Sequence, residues 1–182
     1  MKILVTGSNG LLGQKLVHQL STDPEVELVA TARGANRLNK QEGYVYHSMD
    51  ISSLKAVLAV FEQEKPDVVI HTAAMTHVDQ CEEDKAGCEK LNVEAVQYII
   101  AACSTFNCHL VHLSTDFIFN GEEGPLTEEA VPEPLSFYGE SKLRAEQLIQ
   151  ASTVPAAILR TVLVYGVAEN MSRSNIVLWA KG

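Results

Sequence analysis

In KILVTGSNGLLGQKL, glycine stands at every third position, Gly7, Gly10 and Gly13, where an apolar, β-branched run gives way to a helical pattern. Glycine inside a helix costs up to about 1 kcal/mol relative to alanine, so three of them at this junction mark a demand on the backbone. A tight turn out of a strand, a ligand approaching the main chain, and a helix packed hard against the strand each require a residue without Cβ. The first amides of the following helix have no intrahelical partner, and the helix dipole is positive there. The stretch therefore reads as the phosphate-binding turn of a dinucleotide site, with Gly7, Gly10 and Gly13 as its frame. Its spacing is G-x-x-G-x-x-G where the usual fingerprint is G-x-G-x-x-G. The alternative is a glycine-rich turn that binds nothing. A P-loop is excluded, because no G-K-[ST] follows.

The rest of the chain repeats the same alternation. Short β-branched runs at 3–6, 27–31, 44–47, 68–71, 109–114 and 156–160 predict strands, and 11–20, 53–64, 85–104 and 138–150 predict helices. Several of the runs are apolar without interruption, as strands buried on both faces must be. The pattern predicts an α/β fold, a doubly wound parallel sheet with helices on both faces. One long loop, 120–135, carries Gly121, Gly124, Pro125, Pro132 and Pro134 and is expected to be irregular. SNIVLWAKG, Ser174 to Gly182, reads as the start of an amphipathic helix that breaks off, which is expected of a truncated longer protein.

Composition narrows the partners. With 46% hydrophobic and 20% charged residues the chain is an ordinary globular one. A net charge of −9 argues against a nucleic-acid partner, and the cluster Arg33, Arg37 and Lys40 is too sparse to reverse that. No run is long enough for a membrane span or a signal peptide. The four cysteines, Cys81, Cys88, Cys103 and Cys108, form no C-x-x-C, which favours reduced thiols in a cytoplasmic protein over a zinc site. No metal ligand set stands out.

A dinucleotide site of this kind usually sets an acidic residue at the end of the second strand, for the ribose 2′-hydroxyl. Here that strand ends in Thr31-Ala32-Arg33, with Arg37 beyond. A guanidinium pairs bidentately with a 2′-phosphate, so NADP(H) is favoured while NAD(H) stays open; solvated surface arginines are the bland alternative. Asp50-Ile51 closes the third strand, where the Asp either reaches the adenine or caps the next helix.

Tyr138 and Lys142 form Y-x-x-x-K at the head of a helix, on one face. An adjacent ammonium favours phenolate and would lower the phenol's pKa. HLSTDFIF delivers Ser114, Thr115 and Asp116 to the carboxyl edge of the sheet, where ligands bind in open α/β folds. HTAAMTHVD ends the fourth strand at the same edge, and Ala73 and Ala74 are small enough to admit a flat ring. His71, His109 and His112 are expected to be core histidines, His77 is a weak substrate candidate, and the pairs Glu122/Glu123 and Glu128/Glu129 are expected to be solvated.

TGSNGLLG, DVVIHTAAMTHVDQCE, LNVEA, HLSTDFIFNG, EPLSFYGESKLRAE and LRTVLVYG occur in an order that resembles the extended short-chain dehydrogenases/reductases, and among them the dTDP-4-dehydrorhamnose reductase family. The resemblance implies a Rossmann-type NAD(P)-binding domain over 1–182, with most of a C-terminal substrate-binding region missing. It implies that Gly10, Leu11 and Leu12 lie at the pyrophosphate, Asp50 and Ile51 at the adenine, and Ala73, Ala74 and Met75 beside the cofactor. It further implies that Tyr138 protonates the C4 carbonyl oxygen of a nucleotide-linked sugar, that Thr115 hydrogen-bonds that oxygen, and that Lys142 holds the nicotinamide ribose. Thr115 and Asp116 match substrate contacts. Mg²⁺ and a homodimer are allowed by the resemblance alone. Two features depart from the pattern: Leu163 stands where the reductases carry tryptophan, and GLLG with the arginines after strand two is similar to the β regulatory subunit of methionine adenosyltransferase. An epimerase or dehydratase of the same extended family would share the fold and the Thr/Tyr/Lys set.

Overall fold

The computed structural model describes residues 1–122 and 124–170. Glu123 and the 174–182 segment, for which a helix start is expected, lie outside the described residues. Six strands form one parallel sheet in the order β3-β2-β1-β4-β5-β6. They are β1 (Lys2–Thr6), β2 (Glu27–Ala32), β3 (Val45–Ser48), β4 (Val68–His71), β5 (His109–Thr115) and β6 (Ala156–Thr161). The order reverses between β1 and β4, which opens a crevice above their carboxyl ends.

Strand alternation divides the core in two. Leu4, Val29, Val69 and Leu110 face one side of the sheet, against α2 (Leu54–Glu64), α5 (Ala95–Phe106) and α6 (Phe137–Ala151). Ile3, Val5, Leu28 and Ala30 face the other, against Val17 of α1 (Leu11–Leu20). Both sets are apolar, which is why these strands read as unbroken hydrophobic runs.

The region expected to be one helix over 85–104 is divided. α3 (Val78–Glu83) and α4 (Lys85–Glu89) precede a π-helical turn, Lys90–Glu94, which leads into α5. Asp84 starts α4 by accepting from the Gly87 amide at 2.8 Å. The π turn carries Asn92, 1% exposed, into a polar knot. Its Oδ1 accepts from Met75 N at 2.8 Å, while its Nδ2 donates to Met75 O at 2.9 Å and to Ser141 Oγ at 3.0 Å. The widened turn is where the helix yields to those tertiary bonds.

At the opening turn each glycine does something different. Gly7 has φ +70, and a Cβ there would meet Ala73 N and Thr72 Oγ1 at 2.8 Å. The Gly10 amide donates to Gly7 O at 2.8 Å. A Cβ on Gly13 would run into that same Gly7 carbonyl and into Ser8 Cα. Because the obstacle is backbone, Gly13→Ala should cost roughly 2–3 kcal/mol. Urea unfolding monitored by circular dichroism checks this; an unchanged midpoint would refute the packing role.

Candidate active site

The crevice holds a cavity of about 710 Å³. Gly10 is the N-cap of α1, it offers no side chain to the free amides, and the first turn contains no acid. The amides of Leu11, Leu12 and Gly13 therefore open toward the cavity that these residues line, together with Gly7 and Gly10. Such an arrangement of backbone can accommodate an anion. Asn9 ties the turn to the segment after β2: its Oδ1 accepts from Arg37 N at 2.9 Å and its Nδ2 donates to Ala35 O at 2.9 Å.

Arg33 lines the same cavity beside Asp50 and Ile51. Asp50 Oδ1 accepts from Ser52 N at 2.9 Å and Ser52 Oγ at 2.8 Å, and these bonds, chiefly the one from the hydroxyl, hold its carboxyl below the usual range. Ser53, and not Asp50, caps α2, accepting from Ala56 N at 3.3 Å. Asp50 is thus left at the cavity wall with the Arg33 guanidinium nearby. Ala73 and Ala74 line the same cavity.

Thr115 ends β5, and Tyr138 and Lys142 come from α6, whose N-cap Ser136 accepts from Gly139 N at 3.1 Å. Gly139 abuts the Phe117 carbonyl, so the head of α6 sits directly on the turn that follows Thr115. The Tyr138 ring meets Phe117 edge-on at 5.8 Å. Burial holds the Tyr138 phenol above its ordinary value, against a hydrogen bond with Thr115 that pulls it down.

The expected lowering of that phenol by Lys142 is not what the structure has. Lys142 Nζ instead donates to Leu113 O at 2.6 Å and lies 3.2 Å from His112 Nε2. With Lys142 only 4% exposed, burial pushes its ammonium down to about 8, although Glu146 and Cys88 pull upward.

Three residues expected at the site do not line the cavity. The Arg37 main chain is held by Asn9 and, through its carbonyl, by Asn170 Nδ2 at 2.9 Å. Met75 is locked at both backbone groups by Asn92. Asp116 lies in a 3-10 turn, Asp116–Ile118, accepting from Thr115 Oγ1 at 3.2 Å. His77 caps α3, and His109 is exposed, whereas His71 and His112 are buried.

Residues that pattern reading passed over include Thr72, Leu91, Leu113 and Thr161, all on the cavity wall. Thr72 follows β4, Thr161 ends β6 and Leu113 lies two residues before the end of β5, so the sheet edge itself was the available signal. Val162, Leu163 and Val164, directly after β6, close one side. The chain beyond them is pinned to α1 by buried Gln14, which exchanges bonds with Glu169 N and O at 2.7 and 2.8 Å. Among the described residues no cluster of His, Cys, Asp or Glu could hold a metal, the four cysteines are free thiols, and no helix is long and apolar enough to cross a membrane.

A doubly wound sheet, free helix amides at its crossover and a Thr/Tyr/Lys set on the same edge are the frame of an extended short-chain dehydrogenase/reductase fold. The chain belongs to the RmlD substrate binding domain family, whose model matches residues 1–180. It is similar to a dTDP-4-dehydrorhamnose reductase from Clostridium acetobutylicum, with TM-score 0.79 and 36% identity, covering 93% of this chain and 56% of that one. It is similar to a dTDP-4-dehydrorhamnose reductase from Bacillus anthracis solved in complex with NADP, with TM-score 0.78 and 28% identity over 93% of this chain and 56% of that one. The β subunit of methionine adenosyltransferase 2 from Xenopus tropicalis is 30% identical over 97% of this chain and 51% of its own length. The chain spans about half the length of the curated relatives it matches.

The buried ammonium makes a stability prediction. Lys142 binds its proton less tightly folded than unfolded, so between about pH 8 and 10.5 the unfolded state carries more protons and stability rises with pH. Lys142→Met removes this dependence. Its stability relative to wild type should be most favourable at pH 7 and decline by on the order of 3 kcal/mol toward pH 10.5. Urea unfolding of both proteins across that range checks the sign; a difference that does not change with pH would contradict it.

Proposed function

We propose that this chain is the nucleotide-binding half of an NADPH-dependent reductase that acts on the C4 keto group of a nucleotide-linked 4-keto-6-deoxy sugar. The observation that carries the reading is the convergence of the α1 amides, Arg33 and the Thr115/Tyr138/Lys142 set on one cavity. Residues 1–182 are taken as one dinucleotide-binding unit, with the remaining sugar contacts supplied by the half of the relatives' length that this chain does not span.

The residues fit a nicotinamide dinucleotide. The uncapped α1 amides suit the pyrophosphate, Arg33 the 2′-phosphate, and Asp50 with Ile51 the adenine. Ala73 and Ala74 present no side chain beyond Cβ to a planar ring. A bound reduced nicotinamide supplies a hydride to a carbonyl carbon.

The remaining work falls to the chain. Thr115 hydrogen-bonds the carbonyl oxygen and fixes its direction. The Tyr138 phenol, raised by burial, keeps its proton at neutral pH and gives it to that oxygen as negative charge develops. Lys142, still largely cationic at pH 7, holds the ribose hydroxyls and adds a positive potential that favours the developing alkoxide. The cofactor reading agrees with the NADP complex of the Bacillus anthracis reductase.

A second reading rests on two observations: Leu163 replaces the tryptophan expected of the reductases, and a methionine adenosyltransferase β subunit is 30% identical. In that reading the domain binds NADP(H) in a regulatory role, without turnover.

The two are separated by NADPH oxidation in the full-length natural protein with dTDP-4-keto-6-deoxy-L-mannose. A reductase consumes NADPH only with the keto sugar present, and Tyr138→Phe should lower the rate by about 10²–10⁴-fold. Folded, NADPH-bound protein that does not turn over sinks the reductase reading.

A further inference from the structure

Two buried histidines lie beneath the cavity floor, and the chemistry above does not use them. His71 on β4 and His112 on β5 are register partners in the sheet. Their rings stack at 5.5 Å with an interplanar angle of 23°, and each residue is 1% exposed. His71 Nδ1 lies 2.8 Å from Thr6 Oγ1 on β1, and His112 Nε2 lies 3.2 Å from Lys142 Nζ on α6. The outer nitrogens, His71 Nε2 and His112 Nδ1, are buried without a hydrogen-bond partner.

An ammonium can only donate, so the contact with Lys142 makes His112 Nε2 an acceptor. A neutral imidazole that accepts at Nε2 carries its proton on Nδ1. Lys142 Nζ spends a second N–H on Leu113 O at 2.6 Å. Two bonds from below, to a strand side chain and to the same strand's main chain, fix the ammonium in direction and leave one N–H free to point into the cavity.

We propose that His112, as its Nδ1–H tautomer, is a positioning residue for Lys142: it holds the ammonium through Nε2 and aims the remaining donor at the ligand. The inference rests on the reading of Lys142 as the group that meets the ribose.

The surroundings explain why an imidazole stands there. The groups facing Lys142 are Glu146 one turn along α6, Cys88 from α4 and the two histidines from the sheet. Glu146 is already taken up by Arg160 of β6, with Arg160 Nη2 at 2.8 Å from Glu146 Oε2. A carboxylate at position 112 would capture the ammonium as a closed ion pair, whereas a neutral acceptor holds it without cancelling its charge. Burial first, then the nearby Lys142 charge, keep both rings neutral: His71 is pushed down to about 3, and His112 well below its ordinary value. The acceptor is therefore available across the neutral and mildly acid range. His71, itself fixed by Thr6, packs on the His112 ring and sets its plane.

The test uses His112→Leu, which removes the acceptor, and His112→Gln, whose carboxamide oxygen can replace it. Nitrogen-detected NMR of the wild-type chain should show His112 as the Nδ1–H tautomer. The Lys142 titration, followed with labelled lysine and assigned by its loss in Lys142→Met, should have its midpoint near the wild-type value of about 8 in His112→Gln. In His112→Leu it should fall by about one pH unit, because an uncompensated buried ammonium gives up its proton sooner. NADPH binding by fluorescence should be weaker in His112→Leu already at pH 6, where the ammonium keeps its charge and loses its aim, and about fivefold weaker still at pH 8, where the variant also loses charge that wild type retains.

A merely structural histidine would lower the unfolding midpoint of His112→Leu and leave the Lys142 titration where it was. That result overturns the proposal, as does an Nε2–H tautomer in the wild type. If His112→Leu does not fold, the tautomer and the His112→Gln titration decide. If wild type binds no NADPH, the reductase reading fails, and the Lys142 titration still judges the role of His112.

Discussion

The carbonyl of Gly7 occupies the space that a Cβ on Gly13 would need, and it also accepts the Gly10 amide at 2.8 Å. This one contact draws α1 onto the end of β1 and turns the first helical amides toward the crevice. Gly7 itself can approach Thr72 and Ala73 only because it lacks a side chain. β1 and β4 therefore end close together at the point where the strand order reverses, and the cavity forms above them. The placement of the α1 amides, the crevice and the seating of the β4 edge depend on the same absent atoms.

Lys142 is the second constraint, and it is electrostatic. A cation that is 4% exposed is costly to bury, and the fold meets that cost with Leu113 O, the His112 ring and the field of Glu146. Each of these is anchored elsewhere: Leu113 and His112 on β5, Glu146 on Arg160 of β6. The head of α6 is in turn pressed against the turn after Thr115, so the hydroxyl, phenol and ammonium are carried on one rigid unit. The π-helical turn adds to it, because Asn92 joins Ser141 of α6 to the Met75 segment beside the cavity.

Much of this was legible in the sequence because the sheet is buried on both faces. Runs such as ILVT and VVIH betray their strands without any need for periodicity, and all six strands fall within a residue or two of where those runs place them. The glycines and the Y-x-x-x-K spacing likewise fix backbone and face. What pattern could not carry is anything decided by tertiary contact. α3 has six residues, too few to show a helical period. The π turn exists because Asn92 bonds to Met75 and Ser141, partners distant in sequence. Local spacing put Lys142 beside Tyr138, but its ammonium turns to β5, and burial therefore governs the phenol. Arg37, Met75 and Asp116 lie near the site in sequence but are not among the residues that line the cavity.

The central claim is that this edge of the sheet holds a nicotinamide dinucleotide read by Arg33. Calorimetric titration of the chain with NADPH and NADH, in wild type and Arg33→Ala, tests it most directly. The account predicts one NADPH per chain, and in Arg33→Ala a loss of about tenfold or more for NADPH with little change for NADH. Absence of saturable NADPH binding, or equal weakening of both nucleotides, would contradict it.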